Sequence, residues 1–545
     1  MGHGPSPFSS NRLSVYKPWV PRQLRFWLII MFAFFYQLSG GVYLAALSQM
    51  VGELSFISED VTMASYCSLI GLNMIFPVLF RWKFYLYSRQ MWFVSSIGSI
   101  VCAIAAPWST VPWVLWLVCL FAGYFKMMGM FACMSTIQLN ITPTRNYGVF
   151  FPVVYILVCG AIQVSGLMTA YLSFDFNWRY VYLIIIGLML VVDAIVYFMM
   201  NHDHRCAPYI PLKGVDWTGH VLWVATCCIA AWIFNFGEHY DWWESREIWC
   251  ATWLFIIVFA LTLIESHYHK NPFISLGAFR YTTTWKVVFV LAGIAVLQAS
   301  AHILQPVFMN TVAGYDYFTI VGFNYPEIYG IVIGAVFTYL TLVRWKWRPK
   351  IFFFACFLLT TFYIIATYFL IDPTTEAWQF YIPLFAFGMG EVMMESGATY
   401  MICTTIPFQH TFMNVAIVGF IRCGVGTAAA GAAVERMFAW AMSKTVMLTS
   451  SEMADTDGAG MSWFGSYFTQ QNIMIAVKEC LGYLAILGVA MMLIILLARY
   501  TPPVTRLLPK MGAAARWIRN PALLPTRHCD NSQNIAFAYE RPDIP

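Results

Sequence analysis

The strongest constraint on this chain is a series of fourteen apolar segments separated by short polar connections. About 20 consecutive apolar residues cross the hydrocarbon core of a bilayer as a helix, because a helix satisfies its own backbone hydrogen bonds there. The composition agrees, since 60% of the residues are hydrophobic and only 10% are charged. We therefore predict an all-α membrane protein with 14 transmembrane helices. The predicted spans are residues 25–47, 62–80, 91–107, 112–133, 149–172, 179–200, 216–236, 247–265, 286–308, 327–343, 351–371, 378–404, 410–436 and 473–498.

Lysine and arginine are divided unevenly among the connections. The two terminal tails and the even-numbered connections hold 24 of the 31 basic residues, whereas the odd-numbered connections hold three. Basic residues are enriched in cytoplasmic loops, so we predict that both termini and the 344–350 connection are cytoplasmic. The connection at 437–472 is then expected to face outward. Short basic loops beside spans also explain the net charge of +5 and indicate no nucleic-acid partner.

Several classes of function are disfavoured by motifs that the sequence lacks. There is no Walker A motif and no glycine-rich nucleotide loop, so ATP-driven transport is not expected. No connection is long enough for a catalytic domain, and we therefore expect no enzyme activity. The 14 cysteines lie mostly inside spans and show no metal-ligand spacing, so no metal or other cofactor is expected. An ion gradient, most simply of protons, is the expected energy source.

Five stretches, in order along the chain, resemble the major facilitator superfamily and specifically its fourteen-span drug:proton antiporter branch of the EmrB/QacA type. The likeness covers about residues 25–498. The five stretches are FFYQLSGGVYLAALSQMVGEL (34–54), FNWRYVYLIIIGLML (176–190), DWTGHVLWVATCCIAAWIFNFGEHYDWWES (216–245), IESHYHKNPFISLGAFR (264–280), and FGMGEVMMES with NVAIVGFIRCGVGTAAAGAA in spans 12 and 13.

The resemblance implies a major facilitator fold of two six-helix bundles plus two inserted helices. A substrate cavity is expected at the interface of the bundles, near the bilayer midplane. The implied domains are a cytoplasmic tail at 1–24, the first bundle at 25–200, inserted helices 7–8 with their connectors at 201–285, the second bundle at 286–498, and a cytoplasmic tail at 499–545.

The implied function is proton-coupled efflux of hydrophobic or amphipathic compounds across the plasma (inner) membrane. The expected partners are the lipid bilayer and a small-molecule substrate. Some members of this branch also work with a periplasmic adaptor protein and an outer-membrane channel, and the resemblance allows both here.

Departures from the pattern of the branch keep two other functions open. Ser39 stands where the branch usually has an aspartate, and the second loop lacks the glycines and the aspartate of the gating motif, although Arg81, Lys83 and Arg89 retain its positive charge. The first alternative is a dedicated transporter of one metabolite, such as an organic anion or an iron chelator. The second, a non-transporting receptor or scaffold, is disfavoured by the ionisable residues inside the spans.

Ionisable side chains inside spans are the main candidate functional residues, because each costs at least roughly 2.5–3.5 kcal/mol on insertion scales. Glu391 and Glu395 are four residues apart and therefore share one face of span 12. Two close carboxylates in a desolvated site do not both ionise easily, which suits a proton carrier. Arg422 of span 13 is expected to neutralise one of them. A buried structural ion pair is the alternative interpretation.

Four further polar residues in the spans are candidates for coupling or substrate binding. Lys126 in span 4 is expected to pair with an anionic group of the substrate or with a carboxylate. Asp193 lies beyond the middle of span 6, toward the cytoplasm. Gln163 in span 5 and Gln37 in span 1 are uncharged, and interhelical hydrogen bonding is the simpler explanation for both.

Overall fold

The structure, a computed structural model, describes residues 15–142, 146–202, 212, 214–269, 271–453 and 461–498. Within these residues the chain folds into eighteen α-helices, several of which are joined by short 3₁₀ turns. The helices are α1 Arg22–Leu38, α2 Leu47–Leu54, α3 Ser58–Met74, α4 Phe76–Tyr85, α5 Ser88–Ala105, α6 Pro112–Ile141, α7 Tyr147–Asp175, α8 Arg179–Met199, α9 Trp217–Phe236, α10 Arg246–Tyr268, α11 Thr282–Thr311, α12 Tyr317–Gly322, α13 Asn324–Tyr339, α14 Pro349–Leu370, α15 Tyr381–Thr405, α16 Phe408–Cys423, α17 Val425–Met453 and α18 Met461–Leu497.

Twelve helical segments of the described chain are long and apolar enough to cross a membrane, which identifies an integral membrane protein. The predicted count of fourteen spans is not confirmed. The two remaining predicted spans are also helical. In α1 only the shorter stretch Gln23–Leu38 is apolar. In α15 the same two glutamates that make the helix a functional candidate lower its hydropathy.

Helices from each half of the chain pack chiefly with one another. In the first half, α6 packs against α1, α3 and α5. In the second half, α15 packs against α13 and α14, and α17 packs against α11 and α18. Between the halves, α7 packs against α13 and α15, and α16 packs against α3 and α4. The assignment of two six-helix bundles at 25–200 and 286–498 stays a prediction.

One helix pair in each half crosses at very short distance through glycines on both helices. Between α3 and α6, a Cβ at Gly71 would lie 2.0 Å from the Leu120 carbonyl oxygen, and α6 contributes Gly123 in the same way. Between α13 and α15, a Cβ at Gly330 would lie 2.2 Å from the Phe385 carbonyl oxygen. Small residues allow such close helix contacts in membranes. The two halves thus share a packing device, as an internal repeat would produce.

Two of the stretches that carry the family resemblance meet in the fold. Arg179 Nη2 lies 3.1 Å from Glu53 Oε1, and the indole N–H of Trp178 donates a hydrogen bond to the same carboxylate. Glu53 is in α2, and the tryptophan and arginine stand at the start of α8. The W-R pair therefore ties the end of the first stretch to the beginning of the second.

The third and fourth stretches also meet, at Asp216. This residue caps α9 by accepting a hydrogen bond from the Gly219 N–H at 2.8 Å, and it accepts another from the Phe273 N–H at 3.0 Å. A Cβ at Gly219 would lie 2.1 Å from the Asp216 carboxylate, so the D-x-x-G pattern requires the glycine. Burial raises the pKa of Asp216, but hydrogen bonds led by that of Gly219 outweigh it, and the pKa is lowered.

The predicted outward connection at 437–472 is helical in both of its described parts. Helix α17 continues to Met453 and α18 begins at Met461, while residues 454–460 lie outside the described part. Lys444 of α17 lies 2.5 Å from Glu479 of α18, so the polar residues here pair between two helices. Most of the predicted tails, at 1–14 and 499–545, also lies outside the described residues.

Candidate functional site

A hydrogen-bonded network joins α7, α15 and α16 where the two halves meet. Arg422 Nε lies 2.5 Å from Glu395 Oε2, and Arg422 Nη1 donates to the Tyr155 hydroxyl at 2.6 Å. The Tyr155 hydroxyl lies 2.6 Å from Thr399 Oγ1, one turn beyond Glu395 on α15. The arginine therefore contacts one glutamate of the second half and one tyrosine of the first half at once. The ion pair and one of the hydrogen bonds between the halves therefore share this guanidinium group.

The chain changes direction directly after this arginine. Helix α16 ends at Cys423 and α17 begins at Val425, with Gly424 between them in a non-helical conformation (φ −139°, ψ −109°). A Cβ at Gly426 would lie 1.9 Å from the Ile421 carbonyl oxygen, so the sharp break requires glycine at that position. Helix breaks in membranes occur where the backbone is surrounded by protein or lines a cavity. The break thus separates the segment that carries Arg422 from the rest of span 13.

A second bridge between the halves involves Glu327, which the sequence analysis did not single out. The amide of Gln163 in α7 donates to Glu327 Oε1 in α13 at 2.6 Å. Glu327 stands at the first residue of the predicted tenth span, where a carboxylate is expected to be solvated. The structure extends that span back to Tyr317, so Glu327 lies about a third of the way along it. It interacts electrostatically with Glu391.

Glu391 shares its helix face with Glu395 but has no cation in contact. Its Oε2 atom is buried and receives no hydrogen bond from the described residues. Besides Glu327, the groups that interact with it electrostatically include Glu395 and Arg422. The two predicted carboxylates therefore differ, because one is neutralised and the other is not. Their role in coupling stays a prediction.

His302 of α11 was also missed, although a histidine inside a predicted span is a recognisable signal. Its side chain is exposed. Its ring lies 6.3 Å from that of Phe387, which packs against Tyr363. The Tyr363 hydroxyl donates to Gln305, one turn beyond His302 on α11. Residues of α11 thus contact α14 and α15, the second of which carries the two predicted glutamates.

The structure does not bring the other predicted residues into this network. Asp193 accepts a hydrogen bond from Ser96 of α5, within the first half. Gln37 is buried in α1. These positions favour a structural role for Asp193, and they leave Gln37 without an assigned function.

Two of the three basic residues of the predicted gating loop, Lys83 and Arg89, lie against aromatic rings. Lys83 stands 5.6 Å from the ring centroid of Phe131, which in turn contacts Phe412 of α16. Arg89 stands 4.9 Å from the ring centroid of Tyr197. Cation–π contacts of this kind are worth about 0.5–1 kcal/mol at exposed sites. Lys83 is thus close to a contact between the two halves, as a gating residue would be.

One cluster bears on the prediction that no metal is bound. Ligand atoms of Asp216, Glu265 and His269 lie within 4.8 Å of one another. Asp216 is already occupied by the hydrogen bonds that cap α9, and His269 is exposed. The cluster lies where α9 begins and α10 ends, and none of its residues belongs to the network around Arg422.

The comparisons with known proteins concern the fold. No family model and no curated protein matches the chain. Tetrameric PepTSo2, solved in I4 and P4212 space groups, has TM-scores of 0.54 and 0.53 at 12% and 11% identity, over 91% of this chain and 100% of that one. A mutant form of the nucleoside transporter NupG has a TM-score of 0.49 at 12% identity, over 85% of this chain and 98% of that one.

The likeness to PepTSo2 shows that this chain shares the all-helical membrane fold of that protein. It does not confirm the fourteen-span drug:proton antiporter branch that the sequence resembles. Identities of 11–12% carry no residue roles from one chain to the other.

Proposed function

We propose that this protein is a secondary active transporter driven by a proton gradient, in which Glu391 and Glu395 exchange the driving proton. The observation that carries the proposal is the position of Arg422, which bonds Glu395 in its own half and Tyr155 in the other. Any movement of the two halves against each other stretches this bridge. The charge state of the carboxylates is thereby linked to the conformation of the transporter.

The two glutamates have different roles in the proposed coupling, because only Glu395 forms an ion pair with Arg422. Glu395 holds Arg422 in place, so its charge stabilises the conformation described here. Glu391 has no such partner and can change its charge without first breaking an ion pair. A proton that moves to Glu395 weakens its bond to Arg422 and frees the arginine, and with it the contact to Tyr155. Glu327 and Gln163 form the second link that must open in the same movement.

The finer features follow the family resemblance. We propose fourteen membrane-crossing helices in two bundles with α9 and α10 inserted, both termini in the cytoplasm, and a location in the plasma (inner) membrane. The cargo is a hydrophobic or amphipathic compound, and export by proton antiport is the direction that the resemblance supports. A periplasmic adaptor protein and an outer-membrane channel are compatible partners. The energy comes from the ion gradient, without a cofactor.

Transport by purified protein in proteoliposomes tests the proposal. Ethidium and dansylglycine serve as a cationic and an anionic probe, with an imposed pH gradient as the driving force. Glu391→Gln and Glu395→Gln are expected to abolish uphill accumulation and its pH dependence, while downhill exchange of the transported probe continues. Asp193→Asn is the matched control, since it removes an intramembrane carboxylate outside the network. Normal proton-coupled accumulation by both single variants and by the double variant would show that the pair is structural.

A further inference from the structure

Lys126 lies at membrane depth on the side of α6 that faces the protein interior. The exposed, lipid-facing residues of this helix are Trp113, Leu117 and Phe121, at intervals of four. Lys126 follows Phe121 by five residues. At 3.6 residues per turn, its side chain points about 140° away from that of Phe121 and so away from the lipid-facing residues. Its side chain is half-buried and therefore retains accessible surface on the interior side of the helix.

The ammonium group has no counterion among the described residues. None of these residues forms a hydrogen bond or an ion pair with Lys126, and the ionisable group that acts on it electrostatically is Cys423. This cysteine follows Arg422 at the break between α16 and α17. Lys126 of the first half is thus within electrostatic range of a residue of the second half. It does not pair with a carboxylate, which was one of the two partners expected from the sequence.

The nearby carboxylates have other contacts. Glu395 is neutralised by Arg422, and Glu327 accepts a hydrogen bond from Gln163. No carboxylate of the described residues is among the groups that act electrostatically on Lys126. An unpaired charge inside a membrane protein is costly, and residues of this kind mark pathways of substrates or ions. A bound anion would supply the negative charge that the described residues do not.

We propose that Lys126 binds the anionic group of the cargo, a carboxylate or a sulfonate. The negative charge follows from Lys126, a cation that none of the described residues pairs with, whereas Arg422 pairs with Glu395. The apolar body is that of the hydrophobic or amphipathic cargo already proposed. This inference rests on the proposed transport function and specifies the substrate class.

Three probes with one fluorescent body and different charges test the inference. Dansylglycine is an anion, dansylglycinamide is neutral, and dansylethylenediamine is a cation, so binding to the purified full-length protein is compared by the rise in dansyl fluorescence. A charge-assisted hydrogen bond predicts that the anion binds about tenfold or more tightly than the amide. Equal affinities for the three probes, or no saturable binding of the anion, would contradict the proposal.

Substitutions of the lysine show whether the preference arises there. Lys126→Gln is expected to bring the affinity for dansylglycine down to that for the amide, and Lys126→Arg to retain most of the preference. Lys444→Gln is the control, because that lysine pairs with Glu479 at the protein surface. If the Lys126→Gln variant still binds dansylglycine more tightly than the amide, Lys126 is not the anion site. If that variant does not fold, the affinities of the wild-type protein for the three probes still test the proposal. Binding is measured without a pH gradient, so loss of proton coupling in the glutamate variants and loss of anion preference are separate results.

Discussion

Helices α6 and α15 are alike in packing and opposite in charge. Each crosses its neighbour through a pair of closely opposed glycines, α6 against α3 and α15 against α13. Each carries its ionisable residues in the interior of the protein, Lys126 on α6 and Glu395 on α15. The glutamate is neutralised by Arg422, whereas the lysine has no partner among the described residues. The fold therefore repeats the scaffold in both halves, and the chemistry differs between them.

This difference separates two reasons for placing a charge inside a membrane. A charge that is matched within the protein stabilises one arrangement of the helices and must be unmatched for the arrangement to change. A charge that is left unmatched lowers the stability of the empty protein but raises the affinity for a ligand of opposite sign. Removal of the matched charge should therefore lower stability, whereas removal of the unmatched charge should lower affinity for a ligand and leave stability nearly unchanged.

The largest effect on stability is expected from Arg422→Leu. Removal of the guanidinium leaves the carboxylate of Glu395 buried without a partner, which costs about 3–5 kcal/mol for a buried ion pair. The side chains of the two residues are only 21% and 11% exposed, so water cannot compensate. The midpoint of thermal unfolding in detergent should fall strongly, and the double variant Arg422→Leu/Glu395→Leu should recover most of the loss. A single variant as stable as the wild type would show that the pair does not hold the halves together.

The sequence predicted this pair but not its surroundings. Helical periodicity alone places Glu391 and Glu395 on one face, and the hydropathy pattern leaves Arg422 as the nearest intramembrane cation in the chain. Tyr155 was not predicted, because a tyrosine in an apolar span looks like packing until its hydroxyl partner is known. Glu327 was missed because the predicted span began at that residue, and span boundaries are the least reliable part of such predictions.

Other parts of the fold depended on information that is not local in the sequence. The hydropathy pattern identified the helices, but α15 falls below the apolar level of the others because its two glutamates lower it. The pairing of Glu53 with Trp178 and Arg179 joins residues more than a hundred positions apart. Composition and periodicity do not indicate that these residues are neighbours. The absence of a partner for Lys126 could be found only from the structure.

An intermediate effect is expected when the shared scaffold is perturbed. Gly71→Ala in α3 and Gly330→Ala in α13 each place a methyl group about 2 Å from a backbone carbonyl oxygen of the partner helix. Neither backbone can yield without separating the helices, so each variant should lose about 1–3 kcal/mol by overpacking. Unfolding midpoints in detergent measure the loss. Gly52→Ala and Gly187→Ala, which meet no atom within 4 Å, are the controls.

Similar losses at Gly71 and Gly330 would support a scaffold that is repeated in both halves. A large loss in only one of them would mean that the resemblance between α3–α6 and α13–α15 is limited to geometry. Either result leaves the charge difference between α6 and α15 intact, because these glycines contact neither Lys126 nor Glu395.

The smallest effect on stability is expected from Lys126→Gln, and this result would separate the two helices most clearly. The substitution breaks no ion pair and removes an unmatched charge from the protein interior, so stability should change by less than about 1 kcal/mol or should rise. Unfolding midpoints of this variant and of Arg422→Leu, measured in one detergent at the same pH, give the comparison directly. If Lys126→Gln instead destabilises the protein as much as Arg422→Leu does, the lysine has a counterion within the folded chain. In that case the charge on α6 is structural like that on α15, and the contrast between a matched and an unmatched helix no longer holds.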